Sequence, residues 1–160
     1  MNDQERTSTS RQGNDISNNA PWARAGLRIS SRTLQVSEIR LLIPREPIRH
    51  GLNRDGSGDG RDMAFCTFAS SIGEEQPVEE HILYMLGLLE AAGTTLQQRA
   101  KEGSVDVRLS CAFSAASGAY AITLSREMIQ RLGRLSLDFW ITAYPPGNHD
   151  IDADRISETV

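Results

Sequence analysis

PVEEHILYMLGLLEAAGTTLQQRAKEGSVDVRLSCAF, residues 77–113, is the stretch whose reading decides the fold of this 160-residue chain. Val78, Ile82, Met85, Leu86, Leu89, Ala92 and Leu96 recur at helical spacing, so the stretch opens as one long amphipathic helix with a stripe to bury. Glu79 and Glu80 complement the positive end of that helix, and Arg99 and Lys101 the negative end. Gly103 stops it. Val105, Val107, Leu109, Cys111 and Phe113 then alternate with Asp106, Arg108, Ser110 and Ala112, the period of a half-buried strand.

Upstream, Ala23, Ala25, Leu27 and Ile29 alternate with Arg24, Gly26, Arg28 and Ser30, which predicts a strand with one polar face. A short helix follows at about Val36–Leu42 and ends before Pro44 and Pro47, since proline cannot continue the ladder. A glycine-rich loop, HGLNRDGSGDGRD, leads to a strand from Met63 to Ser70 with apolar residues at both parities, as an interior strand carries. Downstream, SAASG reads as a turn and AYAITLS as a strand with Tyr120, Ile122 and Leu124 on one face. Ser125 is suited to cap the helix REMIQRL, with Gly133 as its stop. The last strand, LSLDFWITAY, presents Leu135, Leu137, Phe139, Ile141 and Ala143 on one side. Ser136, Asp138, Trp140, Thr142 and Tyr144 fall on the other.

From Met63 onward this is the βαββαβ order of a ferredoxin-like plait, extended by an N-terminal strand and short helix. The expectation is an α+β two-layer sandwich, helices on one face of a largely antiparallel sheet. Residues 1–20 are polar and read as a disordered tail, 21–147 as a single α+β domain and 148–160 as an acidic C-terminal tail.

The net charge of −4 is not a property of the domain: Trp22–Gly147 holds 14 basic and 14 acidic residues, and the excess lies in the termini. A neutral domain lacks the net basic character of a non-specific nucleic-acid binder. No apolar run approaches the roughly 20 residues that cross a bilayer, and the N-terminus has no apolar core of a secretory signal. The expected address is cytoplasmic, without membrane attachment. Cys66 and Cys111 fall at inward-compatible strand positions and read as buried free thiols, not a disulfide.

Four blocks resemble a bacterial family, domain of unknown function 4279: VSEIRLLIPREPIRHG, MAFCTFASS, PVEEHILYMLGLLEAAGTTLQQ and VDVRLSCAFSAASGAYAITLSREMIQRLGRLSLDFWITAYP. The similarity spans about Ala23–Pro145. Where the family often carries a tryptophan at the start of the second strand, this chain has Met63 and Ala64. The resemblance implies no established activity; it implies a role of the kind played by immunity or partner-binding proteins of bacterial toxin systems.

No HExxH, CxxC, GxSxG or P-loop pattern occurs, so no catalytic residue, metal ligand or cofactor is expected. Asp55–Gly60 matches the start of an EF-hand loop, but position twelve is Cys66 and no flanking helices exist, so it reads as a polar loop. The polar face of the last strand, Asp138, Trp140 and Tyr144, is the expected partner-binding site, because exposed aromatics mark contact surfaces. The partner would be a protein, a toxin or a second copy of the chain. An RNA-binding sheet is not expected, since the 105–113 strand offers only Asp106, Arg108 and Ser110 to that face. The alternative is a small enzyme or ligand-binding protein using His50, Glu80 and His81, with a pocket between the glycine-rich loop and the start of the long helix.

Overall fold

The computed structural model describes residues 20–54, 62–115 and 121–146. Five strands and four helices follow one another along them. They are β1 (Trp22–Ser31), α1 (Val36–Arg40), β2 (Arg49–Arg54), β3 (Asp62–Ala69), α2 (Val78–Ala91), α3 (Gly93–Lys101), β4 (Asp106–Ser114), α4 (Arg126–Arg134) and β5 (Asp138–Tyr144). The strands form one sheet in the order β2-β3-β1-β4-β5. All neighbours are antiparallel except β4 and β5, which run parallel and are joined by the α4 crossover. The fold is α+β, with helices on one face of the sheet.

β1 is the hub. Its odd-numbered residues Ala23, Ala25, Leu27 and Ile29 enter the core with Ala64, Cys66 and Phe68 of β3 and Val107, Leu109 and Cys111 of β4. Against them pack Ile39 of α1, the α2 stripe Val78, Ile82, Met85, Leu86 and Leu89, Leu96 of α3 and Met128 of α4. Leu27, Ile29, Phe68, Ile82, Met85, Leu86 and Leu109 are sealed from solvent. At roughly 1.5–3 kcal/mol for each such side chain, this layer is the main source of stability.

Several elements differ from the sequence expectation. The long helix is two: Gly93 takes φ +73°, a left-handed conformation that closes α2 and turns the chain into α3. Gly103, at φ +71°, ends α3 as expected. The front of the glycine-rich loop is an edge strand: Arg49–Arg54 pairs with β3, although Gly51 and Asn53 disfavour strands. The cation-loop reading of Asp55–Gly60 concerns positions outside the described residues.

The ferredoxin-like plait is not reproduced. Residues 121–125, the described part of the expected fourth strand, have no regular structure. Ile122 and Leu124 still pack on the core, and Thr123 N–H donates to the Glu79 carboxylate at 2.9 Å. Their alternation reports an extended segment buried on one side without a ladder partner, the geometry that carries the chain from the sheet to the helix layer. Ser125 caps α4 by accepting from Met128 N–H at 3.1 Å, while Gly133 lies inside the helix and does not stop it. The expected tails at 1–20 and 148–160 fall almost wholly outside the described residues.

Candidate functional site

Strand pairing brings residues from the whole chain onto the face opposite the helices. Paired residues of neighbouring strands point the same way. One row therefore crosses all five strands: Arg49, Thr67, Arg28, Arg108 and Asp138. The next row is Ala69, Gly26, Ser110 and Trp140, a low floor with the indole at its edge. Beyond it come Arg24, Ala112 and Thr142, then Trp22, Ser114 and Tyr144. No helix or strand among the described residues packs on this face.

The arginines lie on aromatic rings. The Arg28 and Arg49 guanidiniums sit over Phe65, 4.5 and 5.8 Å from its centroid. Arg108 sits over Trp140 at 4.9 Å and Arg24 over Trp22 at 5.3 Å. Such stacking holds a guanidinium by its π-face and orients its N–H edge. Phe65 is buried beneath its arginines, whereas Trp140 keeps 37% of its surface exposed. Arg24 also makes a two-point ion pair with Glu74 at 2.8 and 3.0 Å. Arg108 makes no ion pair among the described residues, although Asp138 is its register partner.

The three residues expected from the sequence, Asp138, Trp140 and Tyr144, share this face. Asp138 is exposed, and Tyr144 is half-buried against Trp22, ring centroids 5.8 Å apart. The sequence pattern alone did not single out Arg24, Arg28, Arg49, Phe65 and Trp22. The expected lack of an aromatic and basic signature holds for β4 alone: β1 supplies Trp22, Arg24 and Arg28, and β3 supplies Phe65. The signal was present as the even positions of β1, but the strand order that places them beside Arg108 is not written locally.

The second expected constellation does not assemble as a unit. His50 is exposed on edge strand β2, paired with Cys66. His81 is buried on α2 and binds Ser70, four residues or roughly 13 Å further along β3's line than Cys66. Glu80 is exposed beside it in sequence. The structure pairs His81 instead with a residue that no sequence motif marked: Ser70 Oγ lies 2.6 Å from His81 Nδ1.

Ser70 leaves the end of β3, and Val78–Ala91 returns over the sheet so that the fourth residue of α2 meets it. His81 is 1% exposed, and its Nε2 is buried without a well-formed hydrogen bond. Burial holds the imidazole pKa below its ordinary value, against weaker upward effects from the Gly73 backbone and the Glu74 and Glu75 carboxylates. The pair lines a cleft of about 310 Å³ with Arg24, Ala25, Ile72 and Glu74. Beside it, Tyr84 OH accepts from Ser71 Oγ at 2.9 Å and from Arg45.

Both cysteines are free and buried, as expected. Burial pushes the Cys111 thiol up to about 12 and the Cys66 thiol upward also, so neither is a thiolate nucleophile. No group of three potential metal ligands occurs among the described residues. No helix among them is long and apolar enough to cross a membrane.

No curated protein and no solved structure matches the chain. A family model described as "Domain of unknown function (DUF4279)" matches residues 21–146, from just before β1 to just after β5. That match covers every described strand and helix, and the chain belongs to this family.

Proposed function

We propose that the chain is a non-enzymatic protein-binding module that docks a partner on its open sheet face around Trp140 and acts by steric occlusion. The observation that carries this reading is the half-open Trp140–Arg108 stack at the edge of a small-residue floor, on a face that no described helix or strand covers. Aromatic and arginine side chains dominate the energetics of protein interfaces, and a rigid stack loses little conformational freedom on binding. An immunity or defence-associated role, with a toxin as partner, fits a module that works by occlusion, because it needs no reacting group.

The test is affinity capture from the native host, wild type against Trp140→Ala. A protein retained by wild type, lost by the folded variant and binding again as a purified component supports the reading. Equal retention by both forms moves the interface away from this face. Self-pairing is separated by sedimentation at several concentrations.

One observation favours a second reading, a small ligand-binding protein or enzyme. The Ser70–His81 contact joins a hydroxyl to a neutral imidazole beside a cleft, the pairing that activates a serine. Among the described residues no carboxylate hydrogen-bonds the ring to orient it. A fluorophosphonate probe distinguishes the two: labelling at Ser70 that disappears in His81→Gln supports the enzyme, and an unlabelled native chain removes it.

A further inference from the structure

The two edges of the sheet are unlike. β2, at one end, carries Arg49, His50, Gly51 and Asn53 and follows Pro47. Its exposed Leu52 stands between Gly51 and Asn53. Charged side chains and proline keep an edge from pairing with another chain, and glycine weakens a strand. β5, at the other end, has none of these from Phe139 to Tyr144: FWITAY holds no charge, no proline and no glycine. It has the composition of an interior strand, apolar at both parities. Phe139, Ile141 and Ala143 point to the helix side, in register with Leu109, Cys111 and Phe113, and Trp140 points to the open face beside Ser110. Yet no described strand pairs with the outer side of β5. Ile141 keeps 36% of its surface and Trp140 37%, and Ala143 is exposed.

We infer that β5 pairs with β5 of a second copy of the chain, antiparallel about a two-fold axis at Ile141, so that two five-stranded sheets become one. Charge selects this arrangement. Asp138 is the one charged residue of β5 and stands at its first position. Parallel pairing in register would set it against Asp138 of the partner subunit, which destabilises a sheet. Antiparallel pairing about Ile141 sends the two carboxylates to opposite ends. The same register sets Trp140 against Thr142 of the partner subunit and Phe139 against Ala143 of the partner subunit, so each large side chain meets a smaller one. An isologous pair closes at two copies, and the edges left outside are the two β2 strands, which carry the charge.

No stretch of the sequence outside the described residues matches β5 in composition. Residues 1–19 are polar but for Met1 and Ile16, 55–61 read DGSGDGR, and 116–120 are only five residues. Residues 147–160 include Asp150, Asp152, Asp154 and Glu158, and aspartate is depleted from strands. The strand in hand that fits the edge is β5 itself. The inference goes beyond the docking role proposed above: pairing uses the edge of the sheet, and it leaves the open face of the two copies continuous.

Sedimentation equilibrium of the full chain over a wide concentration range reads the pairing, with circular dichroism melting to establish that each variant folds. The wild type should be a dimer. Ile141→Lys and Ile141→Glu each set two like charges face to face on the axis, and each should weaken association on the order of tenfold or more. Mixing the two variants should restore a dimer, because opposite charges then meet at that position. A wild type that is monomeric up to about 1 mM overturns the inference and leaves the edge to the chain's own 147–160 or to a different protein. Equal association of Ile141→Lys and wild type, or growth beyond two copies, overturns it also. So does a mixture that stays monomeric, since residue 141 then does not face itself. If pairing fails while Trp140→Ala still abolishes capture, the docking role stands; if only capture fails, the dimer stands without that role.

Discussion

Acidification should destabilise this protein through His81, and the ceiling on the effect follows from a single proton. The ring is 1% exposed, hydrogen-bonded at Nδ1 to Ser70, and disfavoured as a cation. Above about pH 6.5 the imidazole is neutral in both folded and unfolded chains and contributes no pH dependence. Below that, the unfolded chain takes up the proton while the folded one resists it. The unfolded state then binds more protons, so stability falls as pH falls, until the folded ring titrates at its own lower pKa. One proton sets a ceiling of about 1.4 kcal/mol per pH unit, so a drop from pH 6.5 to 5.5 costs at most about 1 kcal/mol. Against a total stability of roughly 5–15 kcal/mol this is readily measured. Urea denaturation at several pH values is compared for wild type and His81→Gln, which cannot titrate. The substitution lowers stability at every pH, but the slopes decide: the wild type should lose more on acidification than the variant. The difference cancels whatever is common to the two chains. Parallel slopes, or a wild type that gains stability below pH 6.5, refute the buried neutral ring.

Native protein should show no rapidly reacting thiol toward Ellman's reagent and two after denaturation, because Cys66 and Cys111 are buried with raised pKa values. Gly87→Ala and Gly93→Ala should move stability in opposite directions by about 1 kcal/mol each, read by chemical denaturation. Gly87 lies within α2 with nothing within 4 Å of an added Cβ, whereas Gly93 holds φ +73°. Arg131→Gln should cost about 0.5–1 kcal/mol at low salt and less at high salt, since its two 2.8 Å bonds to Glu90 are partly solvated. Arg108→Thr should cost no more than about 1 kcal/mol, the worth of a partly exposed cation–π stack on Trp140. A clear loss of stability would make the Arg108–Trp140 stack structural.

The core was legible because each element's burial is written in its own period. The α2 stripe from Val78 to Leu89 and the odd positions of β1 and β4 occupy the core as their spacing demands. The failures are of three physical kinds. The break between α2 and α3 depends on one glycine's sign of φ, which composition does not state. Ile122 and Leu124 alternate as a strand would, but a ladder needs a neighbour, and the parallel β4–β5 connection leaves them none. β2 was hidden because Gly51 and Asn53 disfavour strands, while pairing with β3 overrides that preference. The candidate face was half legible: Asp138, Trp140 and Tyr144 share one strand and one parity. Arg28, Arg49 and Phe65 join them only through a strand order set by tertiary packing.

The same alternation that builds the core constrains the face. In β1, Leu27 and Ile29 are fully buried, and Arg28 between them must point away from the helices. A slip of one residue would put Arg28 into the core, so the arginine row is held in place by the most strongly specified strand of the sheet. Polar Thr or Ser would satisfy the open side of these strands, as Thr67, Ser30 and Ser110 do in adjoining positions. Locally unfavourable choices in an otherwise consistent sequence concentrate where a protein has to bind something. The half-exposed Trp140 beneath Arg108 is such a choice, and it is the reason to test the sheet face ahead of the Ser70–His81 cleft. A buried histidine bonded to a serine has a sufficient structural role in joining α2 to the end of β3.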